Sequence, residues 1–225
     1  MDRDAFAAAC QVIGITLDDS KLAMFEAFES ALYESNKVKN LTRVPQDECW
    51  ITHFLDSLLF HDLIEGQDLL DLGTGPGLPA WPLAAAFPNL QVTGLDSNGK
   101  MLAFLETQAL PNLRVVNSRI EDTGWSERYD TVTGRALAPY AIQLEVSVRP
   151  CRKGGLLLPM RTAKDEETIR NFPYDQLGLE LERIEERDLP VLGAKRLYPI
   201  IRKVKKTPKE FPRPWATMKK QPLNG

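Results

Sequence analysis

The stretch LLDLGTGPGLP, residues 69–79, joins an apolar run to a turn that holds three glycines within five residues. The run has the short apolar character of a β-strand, and in an open α/β sheet ligands bind where such a strand turns into its helix. Glycine permits positive φ and lets a ligand approach the main chain closely. We therefore expect Gly73, Gly75 and Gly77 to border a ligand, with free backbone N–H groups of the turn offering hydrogen bonds to it.

Similar short runs, rich in apolar and β-branched residues, recur further along the chain, and helix-length segments separate most of them. They are QVTGLD (91–96), LRVVNS (113–118), YDTVTG (129–134) and GGLLLPM (154–160). Strands that alternate with helices predict a mostly parallel sheet covered on both faces. Two consecutive strand candidates, at 177–190 and 195–204, then predict an antiparallel hairpin at one edge. The expected fold class is α/β and Rossmann-like, with an antiparallel C-terminal hairpin.

The first sixty residues are expected to be helical. Apolar residues recur at helical spacing in three segments: Phe6, Cys10 and Ile13; Leu22, Phe25, Phe28 and Leu32; Trp50, Phe54 and Leu58. His53 and Asp56 fall on or near the polar side of the third helix, where an ordinary exposed face is the simpler explanation. We predict one compact unit with three regions: a helical cap over 1–62, a ligand-binding domain over 63–204 and a basic tail over 205–225.

Cysteine and hydropathy patterns exclude several classes of protein. Cys10, Cys49 and Cys151 are odd in number and widely scattered, which argues against a disulfide framework. The two histidines add no zinc-ligand spacing. The longest apolar runs are far too short to span a membrane. We therefore expect a cytoplasmic protein with buried cysteines, no metal and no membrane association.

The net charge of −3 is unevenly spread along the chain. Residues 202–220 carry eight Lys or Arg against the single Glu210, a local charge of +7, so the rest of the chain carries −10. A concentrated basic end favours contact with nucleic-acid phosphates, and Phe211 and Trp215 within it suit base stacking. A solvated, disordered terminus would also account for the charge.

The loop and the second strand together indicate a nucleoside-containing cofactor. Asp96 ends that strand nineteen residues after Gly77, and a carboxylate there can accept hydrogen bonds from both hydroxyls of a ribose. The dinucleotide fingerprint needs glycine where this chain has Leu78, and no Gly-Lys-Ser/Thr follows to make a P-loop. An acid-x-Gly-x-Gly-x-Gly turn from Asp71, followed by a ribose-binding acid, instead resembles class I S-adenosylmethionine-dependent methyltransferases. Their seven-stranded sheet ends in an antiparallel hairpin.

A more specific resemblance covers residues 36–215. The motifs, in order, are NLTRV (40–44), HFLDSL (53–58), DLGTGPGLP (71–79), LDSNGK (95–100), FL (104–105), SRIED (118–122), YDTVTGRALA (129–138) and FPRP (211–214). Together they resemble the bacterial 16S rRNA (guanine-N7)-methyltransferase family, RsmG or GidB. The resemblance implies S-adenosyl-L-methionine as cofactor, and 16S ribosomal RNA or the small ribosomal subunit as partner, with no stable protein partner evident. It also implies cofactor contacts at Gly73, Leu78, Ile120, Glu121 and Arg135.

The candidate site extends these positions to the rest of the loop and the strand tips. The cofactor-binding candidates are Asp71, Gly73, Thr74, Gly75, Gly77, Leu78, Asp96, Ser97, Ile120, Glu121 and Arg135. The substrate-binding candidates are His53, Asp56, Lys100, Arg202, Lys203, Lys205, Lys206 and Arg213. We hypothesise that Arg135, at the tip of the fourth strand, contacts the methionine carboxylate or orients the target base.

The chemistry of the reaction limits what the site needs. Guanine N7 attacks as the neutral base, so positioning can supply most of the catalysis and no obligatory general base is expected. Deletion of residues 205–225 is expected to weaken RNA binding and to leave cofactor binding intact.

The chain departs from the family's pattern at three places. Gly134 stands where serine is common, Met160–Arg161 where a Lys-Gly pair is usual, and Met101 where a basic residue is usual. Two alternatives therefore stay open: a methyltransferase of this fold that acts on a small molecule or protein, and a ribosome-associated protein that binds the cofactor without turnover.

Overall fold

A seven-stranded sheet forms the centre of the computed structural model, which describes residues 1–223. Its strands are β1 (Asp68–Leu72), β2 (Gln91–Asp96), β3 (Leu113–Asn117), β4 (Tyr129–Arg135), β5 (Cys151–Thr162), β6 (Leu179–Leu189) and β7 (Ala194–Lys203). The order is β3-β2-β1-β4-β5-β7-β6, in which β1 to β5 run parallel and β7 is antiparallel to both neighbours. This arrangement confirms the expected fold class. The last two residues of the predicted basic tail lie outside the described residues.

Helices cover both faces of this sheet. They are α1 (Arg3–Val12), α2 (Asp19–Lys39), α3 (Asp56–Leu58), α4 (Ala80–Ala86), α5 (Gly99–Leu105), α6 (Tyr140–Val148), α7 (Glu166–Asn171) and α8 (Trp215–Lys220). The side chains of Asp2 and Asp18 accept hydrogen bonds from first-turn N–H groups of α1 and α2, which fixes where these helices begin. A π-helical segment, Trp50–Leu55, leads directly into α3. Among residues 1–223, no helix is both long and apolar enough to cross a membrane.

The N-terminal helices pack on one face of the sheet through an aromatic cluster. Phe25 and Phe28 of α2 contact Phe54 and Trp81, and the rings of Phe28 and Trp81 stack with centroids 4.1 Å apart. These side chains belong to the same buried cluster as apolar residues of α4, α5 and the sheet. This packing holds the segment around residue 53, the last part of the helical cap, against the carboxyl ends of the strands.

The opposite face has an unusual gap. Right-handed crossovers place the β3–β4 connection on the same face as α6. That connection, residues 118–128, holds only the 3₁₀ segment Ile120–Asp122 instead of a helix. The C-terminal segment lies on this side: Phe211 and Met218 are buried in the same apolar cluster as α6, and Trp215 packs against that cluster. The basic end of the chain is therefore not the solvated, disordered terminus considered above.

Candidate active site

The glycine loop has the conformation its composition predicts, but its amides are not free. Gly73, Gly75 and Gly77 have φ values of +72°, +57° and +105°, a region that side chains other than glycine rarely adopt. The N–H groups of Gly73 and Thr74 donate to Leu95 O, and those of Gly77 and Leu78 donate to Thr74 O. The N–H of Gly75 donates to Asp96 Oδ2 at 2.9 Å. The expectation of free N–H groups is therefore wrong, because the neighbouring strand and the loop itself take them all.

What the loop offers a ligand is carbonyl oxygen. Within residues 1–223, the carbonyl oxygens of Gly73 and Gly75 accept no loop or turn hydrogen bond. A β-carbon placed on Gly75 would meet nothing within 4 Å, so the space beside this residue is open. The loop thus presents acceptors, which suit a ligand that brings N–H donors, such as an ammonium group.

Two carboxylates flank the loop. Asp71 is completely buried behind it; Oδ2 accepts from Ala80 N at 3.2 Å, while Oδ1 has no hydrogen-bond partner in the described part of the chain. Burial raises the pKa of Asp71 to about 7. Asp96 lies at the tip of β2 and is partly exposed, and its two oxygens accept from Gly75 N and Asn98 N. Each oxygen of Asp96 keeps a second lone pair for a ligand hydroxyl.

A cavity of about 400 Å³ opens at the carboxyl ends of β1, β2 and β3. Its lining residues are Leu72, Gly73, Leu95, Asp96, Ser97, Ser118, Arg119, Ile120, Glu121, Ala136, Leu137, Val146 and Trp215. Five candidate cofactor residues therefore meet there: Gly73, Asp96, Ser97, Ile120 and Glu121. The volume is that of a site for a small organic ligand. Asp71, Thr74 and Leu78 are buried and shape the loop from behind rather than lining this cavity.

Arg135 is held in a buried polar network beneath the helical cap. Its Nη1 donates to Thr52 O at 2.9 Å and to Asp56 Oδ2 at 3.4 Å, and its Nη2 lies 3.3 Å from His53 Nδ1. Arg196 Nε donates to the other oxygen of Asp56 at 2.7 Å. A guanidinium carries five N–H donors, so these three contacts leave Nε–H and one Nη2–H for a ligand. The backbone strains at the next residue, Ala136, whose φ is +52° in the left-handed region, as is common at functional sites.

His53 and Asp56 are buried, with 6% and 4% of their surface exposed, so the exposed polar helix face that periodicity alone favours is wrong. The cap turns this side of the helix toward the strand tips instead of toward solvent. Burial, and then the charge of Arg135, lower the pKa of His53 to about 3. Because Arg135 can only donate, His53 Nδ1 accepts and Nε2–H donates to Thr42 Oγ1 at 2.7 Å. The imidazole is therefore neutral and its orientation is fixed.

The structure separates the basic candidates from one another. In the antiparallel register Arg202 lies opposite Leu156 near the start of β5, at the far end of the sheet from the glycine loop. Lys203 is 1% exposed, and its Nζ donates to Val148 O and Cys151 O at 3.0 and 2.7 Å. Substrate binding by Lys203 is thus contradicted, because its ammonium is buried and satisfied within the protein. Arg202 forms ion pairs with Glu65 and Glu182 and is not brought to the site.

The remaining basic candidates differ in exposure. Lys100, Lys205 and Lys206 are exposed. Arg213 binds the buried carboxylate of Glu145 on α6 through three hydrogen bonds of 2.7 to 2.9 Å. Arg213 therefore anchors the C-terminal segment. The same segment brings Trp215 to the cavity wall, so its deletion would remove part of the cavity lining. That the deletion spares cofactor binding stays a prediction.

Several site residues escaped sequence reasoning. They are Thr42, Arg196, Ser118, Arg119, Ala136, Leu137, Val146 and Trp215. Arg196 could have been found, because the start of a strand antiparallel to β5 must lie at the carboxyl end of β5, opposite Thr162. Trp215 was noted only as an aromatic residue suited to RNA.

Comparison with known proteins defines first the class and then the family. TYW2 from P. horikoshii, solved in complex with MeSAdo, has a similar fold, with a TM-score of 0.53 and 11% identity over 73% of this chain and 65% of that chain. The strand order and the antiparallel edge are those of the Rossmann-like methyltransferase fold.

The family model for GidB, rRNA small subunit methyltransferase G, matches residues 21–195. The ribosomal RNA small subunit methyltransferase G of Lactobacillus johnsonii is 34% identical over 99% of this chain and 100% of its own length. That of Bacillus subtilis is 33% identical over 100% of both chains. This chain therefore belongs to the rRNA small subunit methyltransferase G family and is an enzyme of the methyltransferase class.

Proposed function

We propose that this enzyme transfers a methyl group from S-adenosylmethionine to N7 of a guanine in 16S ribosomal RNA, in the cytoplasm. The observation that carries the proposal is the cavity at the carboxyl ends of β1 to β3, where the glycine loop and Asp96 meet. Full-length similarity to proteins named ribosomal RNA small subunit methyltransferase G supports the RNA substrate. The choice of guanine N7 rests on the motif resemblance and on the chemistry of the site.

The residues present fit the cofactor. The open space beside Gly75 and the uncommitted carbonyl oxygens of Gly73 and Gly75 suit the ammonium end of its methionine portion. Asp96 suits the ribose hydroxyls, and Ile120 and Glu121 flank the place beyond it for the adenine. When bound, the sulfonium supplies an electrophilic methyl group. The protein's part is to hold that group beside the target and to exclude water.

The site's acid–base groups favour a nucleophile that needs no deprotonation. His53 is neutral at physiological pH, but both ring nitrogens are engaged with Arg135 and Thr42. The described lining of the cavity contains no histidine, cysteine or lysine, and its two carboxylates, Asp96 and Glu121, are proposed to bind the cofactor. Guanine N7 carries a free lone pair in the neutral base, so correct placement suffices.

Arg135 is proposed to contact the methionine carboxylate or to orient the target base. Its two uncommitted N–H groups can bind either a carboxylate or the O6 acceptor beside N7. The variant Arg135→Lys keeps the charge but loses the planar fork. A raised Kd for S-adenosylhomocysteine would indicate the carboxylate, whereas an unchanged Kd with slower methylation would indicate the base. Wild-type values for both would remove the proposed role.

The target guanine is expected outside a regular duplex. N7 faces the deep, narrow major groove of an RNA helix, which side chains cannot easily enter. A base in a loop, or one turned out of its stack, avoids this barrier. The substrate should therefore be a single-stranded or distorted site in the small subunit.

The proposal is tested with methyl-labelled S-adenosylmethionine and three acceptors: naked 16S rRNA, assembled small subunits and an RNA-free extract. Label recovered as 7-methylguanosine in either RNA sample supports the proposal. Label in the RNA-free extract would favour the small-molecule or protein alternative, and cofactor binding without transfer would favour the non-catalytic one. Asp96→Ala is the negative control: it removes the proposed ribose contact together with the hydrogen bonds from Gly75 N and Asn98 N, and it leaves the Arg135 network in place.

A further inference from the structure

One wall of the cofactor cavity comes from the C-terminal segment. Trp215, the first residue of α8, lines the cavity together with Asp96 and Ile120. The indole is only partly buried, although it packs against the apolar cluster that includes α6. A large aromatic face is therefore available inside a cavity proposed to hold a purine.

The missing helix explains why a wall is needed there. A helix in the β3–β4 connection would lie on this face of β1 to β3, but residues 118–128 form only a short 3₁₀ turn and loop. Without further cover the cavity would be bounded by the strand tips on one side and open on the other. The C-terminal segment lies on this open side.

Contacts on both sides of Trp215 fix its position. Before it, Phe211 is buried, and the guanidinium of Arg213 binds both oxygens of Glu145, which is 1% exposed. After it, Met218 is completely buried in the cluster beneath α8. The indole is thus held in place before any ligand arrives, which lowers the entropic cost of using it as a contact.

We propose that Trp215 binds the adenosine portion of the cofactor by packing its indole against the adenine. This inference rests on the proposed function. Asp96 at the tip of β2 fixes where the ribose lies, and the glycine loop of β1 takes the methionine end, so the adenine extends to the side of β3. Ile120 and Trp215 line the cavity there, and an indole and a purine both present flat, polarizable faces that stack.

The test measures binding of two probes by calorimetry to wild type, Trp215→Ala and Trp215→Phe. S-adenosylhomocysteine is the complete product, and 5′-methylthioadenosine shares its adenosine but lacks the carboxylate and ammonium groups. Loss of base stacking predicts a Kd raised about fivefold or more for both probes in Trp215→Ala, with a smaller rise in Trp215→Phe. Trp125→Ala is the matched control: Trp125 packs on the same face but does not line the cavity.

Tryptophan fluorescence emission gives a second measurement, which remains possible if Trp215→Ala folds poorly because it uses Trp215→Phe. The chain has four tryptophans, and Trp50 and Trp81 are buried in the aromatic cluster of the cap. S-adenosylhomocysteine should change the emission of wild type and Trp125→Phe but not that of Trp215→Phe.

Three results would overturn the inference: a Trp215→Ala Kd within twofold of wild type, a loss confined to S-adenosylhomocysteine, or a ligand-dependent emission change retained in Trp215→Phe. A wild-type protein that fails to bind S-adenosylhomocysteine would instead overturn the proposed function.

Discussion

At the scale of single residues, burial decides what a side chain can do. Histidine often acts as a general base, yet burial beside Arg135 keeps His53 neutral and engages its Nδ1 in a hydrogen bond. Lysine often contacts RNA phosphates, yet the ammonium group of Lys203 is buried and donates to two carbonyl oxygens of the protein. Residue type was readable from the sequence in both cases. Solvent exposure was not, because it depends on which distant segment covers the residue.

The neutral state of His53 makes stability depend on pH. Its pKa falls to about 3 in the folded protein, against about 6.5 when unfolded, so acidification protonates the unfolded chain first. The stabilising contribution is complete above pH 6.5 and is lost as the pH falls toward 3. Between pH 6.5 and 5 the loss is about 2 kcal/mol, from about 1.4 kcal/mol per pH unit. His53→Gln should lack this component in urea unfolding across that range.

The difference in unfolding free energy between wild type and His53→Gln isolates the contribution of His53. Asp71, with its pKa raised to about 7, gives a slope of opposite sign, since its stability contribution falls as the pH rises from about 4 to 7. That slope is common to wild type and to His53→Gln, so it cancels in the difference. Equal pH dependence in the two proteins would show that His53 is not held neutral in the folded state.

At the scale of elements, strand β4 packs too closely against its neighbours to accept a side chain at Gly134. A β-carbon there would lie 2.7 Å from Leu72 O on β1 and 3.0 Å from Gln143 Nε2 on α6. Gln143 also donates to Gly134 O at 2.9 Å and accepts from Arg161 Nη2. Arg161 in turn donates to Ala138 O in the loop after β4. Two departures from the family's pattern thus support each other, which a reading of single positions could not show.

This packing predicts that serine, common in the family at this position, is not tolerated here. Gly134→Ser and Gly134→Ala should each lower the free energy of unfolding by about 1–3 kcal/mol, because the clash arises at the β-carbon that both share. Chemical denaturation measures the change. Either variant lying within about 0.5 kcal/mol of wild type, a typical surface effect, would show that β4 and α6 can separate without cost.

Most elements could be predicted, because they depend on local patterns. Strand and helix periodicity, and the glycine loop with Asp96, were sufficient to predict the sheet and a cavity at the carboxyl ends of its first strands. The use of the Gly73 and Thr74 amides was not predictable, since both donate to Leu95 O, which lies on another strand. The absence of a helix between β3 and β4 was not predictable either, because the connecting segment, residues 118–128, is long enough to contain one.

At the scale of the whole molecule, the basic end is divided between structural and exposed charges. Arg202, Lys203 and Arg213 are bound within the protein. The exposed cations are Lys205, Lys206, Lys209, Lys219 and Lys220. Lys219 lies four residues after Trp215, so the two share a face of α8, and an exposed charge lies one turn from the cavity wall.

We expect the two lysines of α8 to set part of the salt dependence of RNA binding. Each phosphate contact contributes about 0.7 to 0.9 to the slope of log K against log salt. Lys219→Gln combined with Lys220→Gln should therefore reduce that slope by about 1.4 to 1.8. The Kd for S-adenosylhomocysteine should stay unchanged, because neither lysine lines the cavity.

The control is Arg202→Gln, which removes one charge from the same basic stretch at a position already paired with Glu65 and Glu182. Its salt slope should match wild type. A slope lowered equally by Arg202→Gln would mean that the basic end acts through total charge rather than through its exposed lysines.

The fully engaged amides of the glycine loop have a consequence for the resting enzyme. A turn whose N–H groups are all hydrogen-bonded within the protein keeps its conformation without a ligand, and it needs little rearrangement when the cofactor binds. Amide hydrogens of Gly73, Thr74 and Leu78 should accordingly resist deuterium uptake in the unliganded protein, and saturation with S-adenosylhomocysteine should slow their exchange only slightly. Each turnover would then begin and end with the same rigid frame, and exchange of spent for fresh cofactor would require no refolding of the loop.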